Sequence, residues 1–197
     1  MAPLHREIEK VIIINLRGTS GSGKSTVVRR LMDRYPDRLP NQEPDRRQPI
    51  SYFCRRPGGR TLYVPGHYET ACGGCDTIKT PDKVYALIEQ ALGQNMDVIY
   101  EGIIVQDDTR RLLELNARHP VTVIELSTSI VECLAGIQAR RDERGDERPL
   151  NDKNTVDRAV RVHKTCQKLR GMGLEIPYLS RDEAFGYCEG LLDLGLS

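Results

Sequence analysis

Apolar residues alternate along the chain between short unbroken runs and longer stretches with helical spacing. Val11-Ile12-Ile13-Ile14-Asn15-Leu16 is a continuous run, as expected of a strand buried on both faces. Residues 26–35 carry Val27, Val28, Leu31 and Met32 on one helical face and stop before Pro36. Residues 37–49, rich in Pro, Asp and Arg, read as a loop. Two short β-like runs follow at 50–54 and 61–64, parted by the turn Pro57-Gly58-Gly59. Thr80 as N-cap and Pro81 at the first helical position open a helix with Val84, Leu87, Ile88, Ala91 and Leu92 on one face, and Gly93 closes it.

The second half repeats the alternation. Residues 97–101 read as a strand, 108–119 as a helix ending before Pro120, and 121–126 as another buried strand. Helices are expected over 129–144 and 155–170, with a charged turn at 145–151 between them. A short strand at 176–180 and a helix at 182–194 finish the chain. Strands alternating with helices predict an α/β fold of three layers with a parallel sheet of about five strands. With 197 residues the chain fits one domain, residues 1–197. It has no internal repeat and no low-complexity segment.

Composition narrows the partners. The formal net charge is +1, so nothing global draws the chain to nucleic acid or membrane. Charge is concentrated locally: Arg46, Arg47, Arg55, Arg56 and Arg60 lie between 46 and 68 with no acid among them. The first ten residues are polar and charged and no stretch reaches transmembrane length, so a cytoplasmic protein without membrane contact is expected. Cysteines at 54, 72, 75, 133, 166 and 188 are scattered rather than spaced as a disulfide framework, and a cytosolic chain keeps them reduced.

The chemistry starts at Gly18-Thr19-Ser20-Gly21-Ser22-Gly23-Lys24-Ser25, which meets G-x-x-x-x-G-K-[ST] at every fixed position, between a strand and a helix. Its glycines let the backbone wrap a phosphate with N–H groups aimed at the oxygens, and Thr26 continues the helix behind them. Lys24 would reach the β- and γ-phosphates of ATP, and the Ser25 hydroxyl would ligate Mg²⁺. A bare Gly/Ser turn with a chance lysine would lack the flanking strand and helix.

Two further segments suit phosphoryl transfer. Glu101 ends a strand at the edge where ligands gather in open α/β sheets, so it could hold a metal-bound water or take the proton of an incoming hydroxyl; the bland reading is a solvated loop glutamate. The arginines of 138–153 resemble a kinase lid that neutralises charge on the transferring group. Helical spacing puts Arg140 and Arg144 on one face and Arg141 on a neighbouring one; a salt-bridged, solvated helix end is the alternative. By position alone, Ser180-Arg181-Asp182 would meet the adenine.

The run Gly66-His67-Tyr68-Glu69-Thr70-Ala71-Cys72-Gly73-Gly74-Cys75-Asp76 admits three readings. Cys72, Cys75, His67 and Cys54 could form a zinc site, though a second tight pair is missing. A redox Cys-x-x-Cys lacks thioredoxin-like surroundings. A substrate loop is favoured, with glycines permitting close approach and Glu69 or Asp76 meeting an acceptor hydroxyl. Just upstream, Arg55 and Arg56 alternate with Tyr52, Phe53, Tyr63 and Tyr68, a combination suited to phosphates and stacked or flipped bases. An acceptor-binding insertion over about 37–80 is therefore expected.

Taken together, the phosphate loop, the Tyr100-Glu101-Gly102 strand end and the arginine-rich 140–148 segment resemble the P-loop nucleoside and nucleotide kinase group, which includes thymidylate kinases. The Asp-Arg pair of thymidylate kinases is replaced by Glu101-Gly102, which argues against their mode of monophosphate recognition. The His67–Asp76 run resembles a bacteriophage branch, the DNA kinases acting on 5-hydroxymethyldeoxyuridine. That resemblance implies ATP-dependent phosphorylation of a hydroxymethylated pyrimidine within DNA. Lys24 and Ser25 then take the family's ATP and Mg²⁺ positions, while the acceptor side carries over as a region only. A kinase of a free nucleoside, nucleotide or other small metabolite is the alternative. A non-catalytic nucleotide-binding module is a third reading, although Asn151-Asp152-Lys153-Asn154 does not form a guanine-binding motif.

Overall fold

The computed structural model describes residues 10–70 and 72–193, so the N-terminal polar stretch, Ala71 and the Leu194 end of the last expected helix lie outside the described residues. The elements in chain order are β1 (Ile13–Arg17), α1 (Lys24–Met32), β2 (Asp37–Asn41), β3 (Ser51–Arg55) and β4 (Leu62–Pro65). A single 3-10 turn, Cys75–Thr77, then precedes α2 (Pro81–Gly93), β5 (Asp97–Glu101), α3 (Ile103–Gln106) and α4 (Thr109–Arg118). The chain ends with β6 (Val121–Leu126), α5 (Ile130–Asp142), α6 (Asp152–Gly171), β7 (Tyr178–Leu179) and α7 (Arg181–Leu191).

One seven-stranded sheet runs β2-β3-β4-β5-β1-β6-β7. From β4 to β7 the neighbours are parallel, which gives the five parallel strands expected. Two antiparallel strands, β2 and β3, extend that edge. Residues 37–41 are thus an edge strand and not loop. Pro40 is tolerated there because an edge strand has one row of backbone groups free of the ladder, and pairing with β3 supplies what local propensity does not.

Alternate residues of the central strands feed two cores. Ile13, Tyr100 and Val123 pack under α2, α4 and α6 through Val84, Ile88, Leu112, Leu115, Val162 and Leu169. Ile14, Leu16, Ile99 and Ile124 face the other way, against Val27 and Leu31 of α1 and Phe185 of α7. β1 sits at the centre and every one of its side chains is buried, which accounts for its unbroken apolar run. The Thr80 cap is present, accepting from Lys83 N, and the structure adds capping boxes at Ser129 and Ser180, with Glu132 and Glu183. α6 begins three residues earlier than its periodicity indicates, capped by Asn151. Among the described residues no helix is long and apolar enough to cross a membrane.

Candidate active site

At the carboxyl end of β1 the chain enters the phosphate loop, and neighbours from five directions hold that loop. Gly18 N donates to Gln106 Oε1 (3.1 Å), Thr19 Oγ1 to the Thr155 carbonyl (3.2 Å), and Thr128 Oγ1 to the Ser22 carbonyl (2.7 Å). A Cβ on Gly21 would fall 2.1 Å from the Cys133 carbonyl oxygen, and one on Gly23 2.2 Å from Arg181 Cδ. With Gly21 at φ 79, only glycine serves at that position. Ser20 is half-buried and Thr26 exposed on the first turn of α1.

Lys24 is buried, and its ammonium donates to the carbonyls of Gly18 (2.8 Å) and Thr19 (3.0 Å) of its own loop. Burial pulls its pKa below the ordinary 10.5, with Glu101 and Asp76 opposing that shift. Ser25 Oγ donates to Glu101 Oε1 at 2.7 Å. Glu101 is 2% exposed; burial raises its pKa, while Lys24 and the Ser25 hydroxyl hold it down. Two hard oxygens this close beside a phosphate loop form a donor set that suits Mg²⁺.

The loop of residues 66–78 folds back onto this pair. Gly66 N donates to the Ile50 carbonyl (2.7 Å) and Gly74 N to the His67 carbonyl (3.0 Å), closing the loop at its neck. Gly74 has φ 77, and a Cβ there would lie 2.4 Å from Glu101 Oε1, so the backbone passes directly over the carboxylate. Asp76 follows on the 3-10 turn. Its Oδ1 accepts from Ile104 N (2.8 Å), and its charge is felt by both Lys24 and Glu101. Asp76 is exposed, with its carboxylate at the mouth of the site.

α5 stops at Asp142, two residues short of the expected end, so Arg140 lies on the helix and Arg144 on the turn after it, where Arg144 Nε donates to the Arg140 carbonyl (3.0 Å). Arg140 donates to the Gly136 carbonyl (3.0 Å) and is close enough to Lys24 to lower its pKa. Arg144 Nη1 reaches Cys72 Sγ at 3.9 Å, so the lid touches the 66–78 loop. Arg141 turns away and donates to the Arg148 carbonyl (2.7 Å). Among the described residues none of these three arginines is in an ion pair; in the turn, Asp146 pairs with Arg148. Cys133 is the one buried residue of α5, so little apolar surface anchors the lid.

Several expected site residues fall elsewhere. Arg55 pairs with Asp37 across β2–β3, and through β4 its neighbour Cys54 is level with Asp97. The hairpin therefore carries Arg55 and Arg56 to the opposite end of the sheet, about 13 Å of strand rise from Glu101. Arg56 there donates to the Leu192 and Asp193 carbonyls. Nor do the aromatics form an open stacking platform. Tyr52 and Tyr63 are buried on β3 and β4 inside the sheet, and Tyr68, in the 66–78 loop, is buried against the core cluster that holds Tyr52. Tyr52 OH instead donates to Glu69 Oε1 (2.5 Å), which occupies that carboxylate, and burial raises the pKa of the Tyr68 phenol.

Among the described residues no group of three or more His, Cys, Asp or Glu side chains could hold a metal ion. Cys75 is fully buried with its thiol pKa pushed well up, Cys54 is buried with its own at about 12, and Cys72 is exposed. That disposition fits neither the zinc reading nor a reactive thiol pair. Arg181 packs against Gly23 and pairs with Glu132 (3.4 Å), which places the 180–182 loop beside the phosphate loop.

Of four further contributors, Arg29, Arg17 and Gln106 carry no sequence signal, and Arg46 is legible only as a member of the basic run 46–60. Arg29 of α1 donates to the Tyr68 (3.2 Å) and Thr70 carbonyls, clamping the 66–78 loop from the helix side. Arg46 donates to the Thr77 carbonyl (3.1 Å) from the loop that joins β2 to β3 at the active end. Arg17 and Gln106 brace the phosphate loop from behind. Each contact spans 31 to 89 residues of chain, beyond the reach of local pattern.

Known proteins resemble the chain over most of its length. Residues 13–164 match the AAA domain family. The chain is 40% identical over 183 residues to a 5-hmdU DNA kinase of Pseudomonas phage PaMx11, covering 92% of this chain and 97% of that protein. A 5-hmdU DNA kinase of Pseudomonas phage M6 is 29% identical over 170 residues, 82% of this chain and 84% of that protein. One from Delftia phage PhiW-14 is 26% identical over 186 residues, 86% and 68% of the two.

Proposed function

The chain belongs to the AAA domain family and is a P-loop phosphotransferase, and we propose that it transfers the γ-phosphoryl group of ATP to the hydroxymethyl oxygen of 5-hydroxymethyluracil in DNA. The observation that carries this reading is the placement of Asp76: the 66–78 loop delivers its carboxylate to the mouth of a phosphate loop, beside Lys24 and Glu101.

Roles follow from what each group is already engaged with. Lys24, bonded only to its own loop, is free to turn its ammonium onto the phosphates. Ser25 and Glu101 would hold Mg²⁺, which when bound neutralises charge on the donor phosphates. With Glu101 committed there, Asp76 is left to orient the acceptor and take its proton. The hydroxymethyl oxygen forms the new bond to Pγ, the bond from Pγ to the bridging oxygen breaks, ADP departs, and the proton passes to the Asp76 carboxylate. Arg140 and Arg144 close over the shifting negative charge, where fixed cations stabilise the transition state most.

Arg46 and Arg47, on the loop between β2 and β3, supply the approach for the DNA backbone; Arg55 and Arg56 take no part in it. The test is transfer of label from [γ-³²P]ATP with three acceptors: DNA containing 5-hydroxymethyluracil, the same DNA with thymine, and the free nucleoside. Label in the first alone supports the reading. Label in the free nucleoside alone rejects the polymer and makes the enzyme a small-molecule kinase.

A further inference from the structure

The six residues from Glu101 to Gln106 touch three parts of the site in sequence. Glu101 is bonded to Ser25. Gly102 then turns the chain into α3, where Ile104 N donates to Asp76 Oδ1 (2.8 Å) on the acceptor loop. Two residues on, Gln106 Oε1 accepts from Gly18 N (3.1 Å), the first amide of the phosphate loop.

Behind Gln106 stands a buried charge. Arg17 is 1% exposed and donates through Nη1 to the Gln106 carbonyl (3.0 Å) and through Nε to Asn15 Oδ1 (2.8 Å). Among the described residues it has no carboxylate partner. Burying a guanidinium costs free energy that hydrogen bonds to oxygen must offset. Gln106 is itself 2% exposed. Such a pair is a poor way to fill space and a good way to fix one backbone position.

We infer that Gln106 is a positioning residue that couples the acceptor loop to the phosphate loop through α3. α3 is a single turn of four residues, and Ile104 and Gln106 lie only two positions apart on it, so a displacement of one carries the other with it. A shift of Asp76 at one end moves Gly18 at the other, and the order imposed by a nucleotide on Gly18–Ser25 is returned to residues 66–78. The two loops therefore engage together, and binding at either favours the other by the same factor. The inference rests on nucleotide binding by the phosphate loop and not on which acceptor is phosphorylated.

The experiment is hydrogen exchange with and without Mg²⁺ and AMP-PNP, together with the dissociation constant of that nucleotide. In the wild-type chain AMP-PNP is expected to slow exchange in peptides covering 66–78 as well as in the phosphate loop. Gln106→Leu keeps the volume but leaves Gly18 N–H buried without an acceptor; it should weaken AMP-PNP about tenfold and abolish the protection of 66–78. Gln106→Glu keeps an acceptor oxygen for Gly18 N and should restore the protection of 66–78 at saturating AMP-PNP, although its added negative charge opposes the polyphosphate. Asp76→Ala acts from the exposed end, where folding is not at risk, and should speed exchange of the Gly18 amide in the nucleotide-free protein. If Gln106→Leu binds AMP-PNP as the wild type does with 66–78 still protected, the coupling is refuted. If it fails to fold, the Asp76→Ala measurement decides: unchanged exchange at Gly18 refutes the coupling. Absence of DNA phosphorylation alone would leave it standing.

Discussion

Ser25 Oγ and Glu101 Oε1 lie 2.7 Å apart, joining the first turn of α1 to the end of β5 across 76 residues of chain. Both oxygens would ligate one Mg²⁺. Glu101→Gln keeps the shape and removes the charge. It is expected to lower kcat by about 10²–10³-fold and to raise the Mg²⁺ concentration needed for half-maximal activity. Titrating Mg²⁺ at saturating ATP checks this; an unchanged Mg²⁺ dependence would remove Glu101 from the site.

Lys24 gives a pH dependence of known sign. Burial lowers its pKa in the folded, nucleotide-free protein relative to 10.5 in the unfolded chain. Between those two pKa values the unfolded chain binds more protons, so through Lys24 the free protein gains stability as pH rises. A bound polyphosphate favours the ammonium again. Nucleotide affinity should therefore fall as pH climbs through the lowered pKa, with proton uptake on binding in that range. Calorimetry in two buffers of different ionisation enthalpy measures the uptake, and Lys24→Ala should abolish it.

The lid arginines should separate. Arg140→Ala and Arg144→Ala are expected to lower kcat by about 10–10²-fold with little change in KM for ATP. Arg141→Ala, whose guanidinium faces the Arg148 carbonyl, should stay within about threefold by the same reasoning. Equal losses at all three would mean that the lid acts by bulk charge and not by the face it presents.

Salt dependence locates the DNA backbone. Arg46→Ala or Arg47→Ala should reduce the slope of log Kd against log salt by about one phosphate contact each, and Arg55→Ala should leave it unchanged. Filter binding at several salt concentrations reads this directly. The reverse pattern would move the DNA to the far end of the sheet.

Where sequence and structure agree, the determinants are local. Thr80 and Pro81 open α2 with groups three residues apart, and the phosphate loop is legible because one turn of backbone builds it. β2 escapes such reading because Asp37, Arg38 and Pro40 have poor strand propensity and are ordered only by β3, whose residues follow ten or more positions later. Arg55 and Arg56 look like part of the acceptor site because they precede it in the chain, yet the antiparallel turn between β3 and β4 reverses direction and carries them away. Gln106 and Arg17 carry no motif at all. Their meaning lies in contacts 88 and 89 residues apart, to Gly18 and to each other.

The proposed acceptor is a hydroxymethyl group on a base inside the polymer. Covalently closed circular DNA tests it most directly, because it has no terminal hydroxyl. Circles containing 5-hydroxymethyluracil are expected to take up label from [γ-³²P]ATP, and nuclease digestion should release it as a nucleoside phosphorylated on the 5-hydroxymethyl oxygen. Label that enters only nicked or linear DNA, whatever its bases, would contradict the claim and make the enzyme an end kinase.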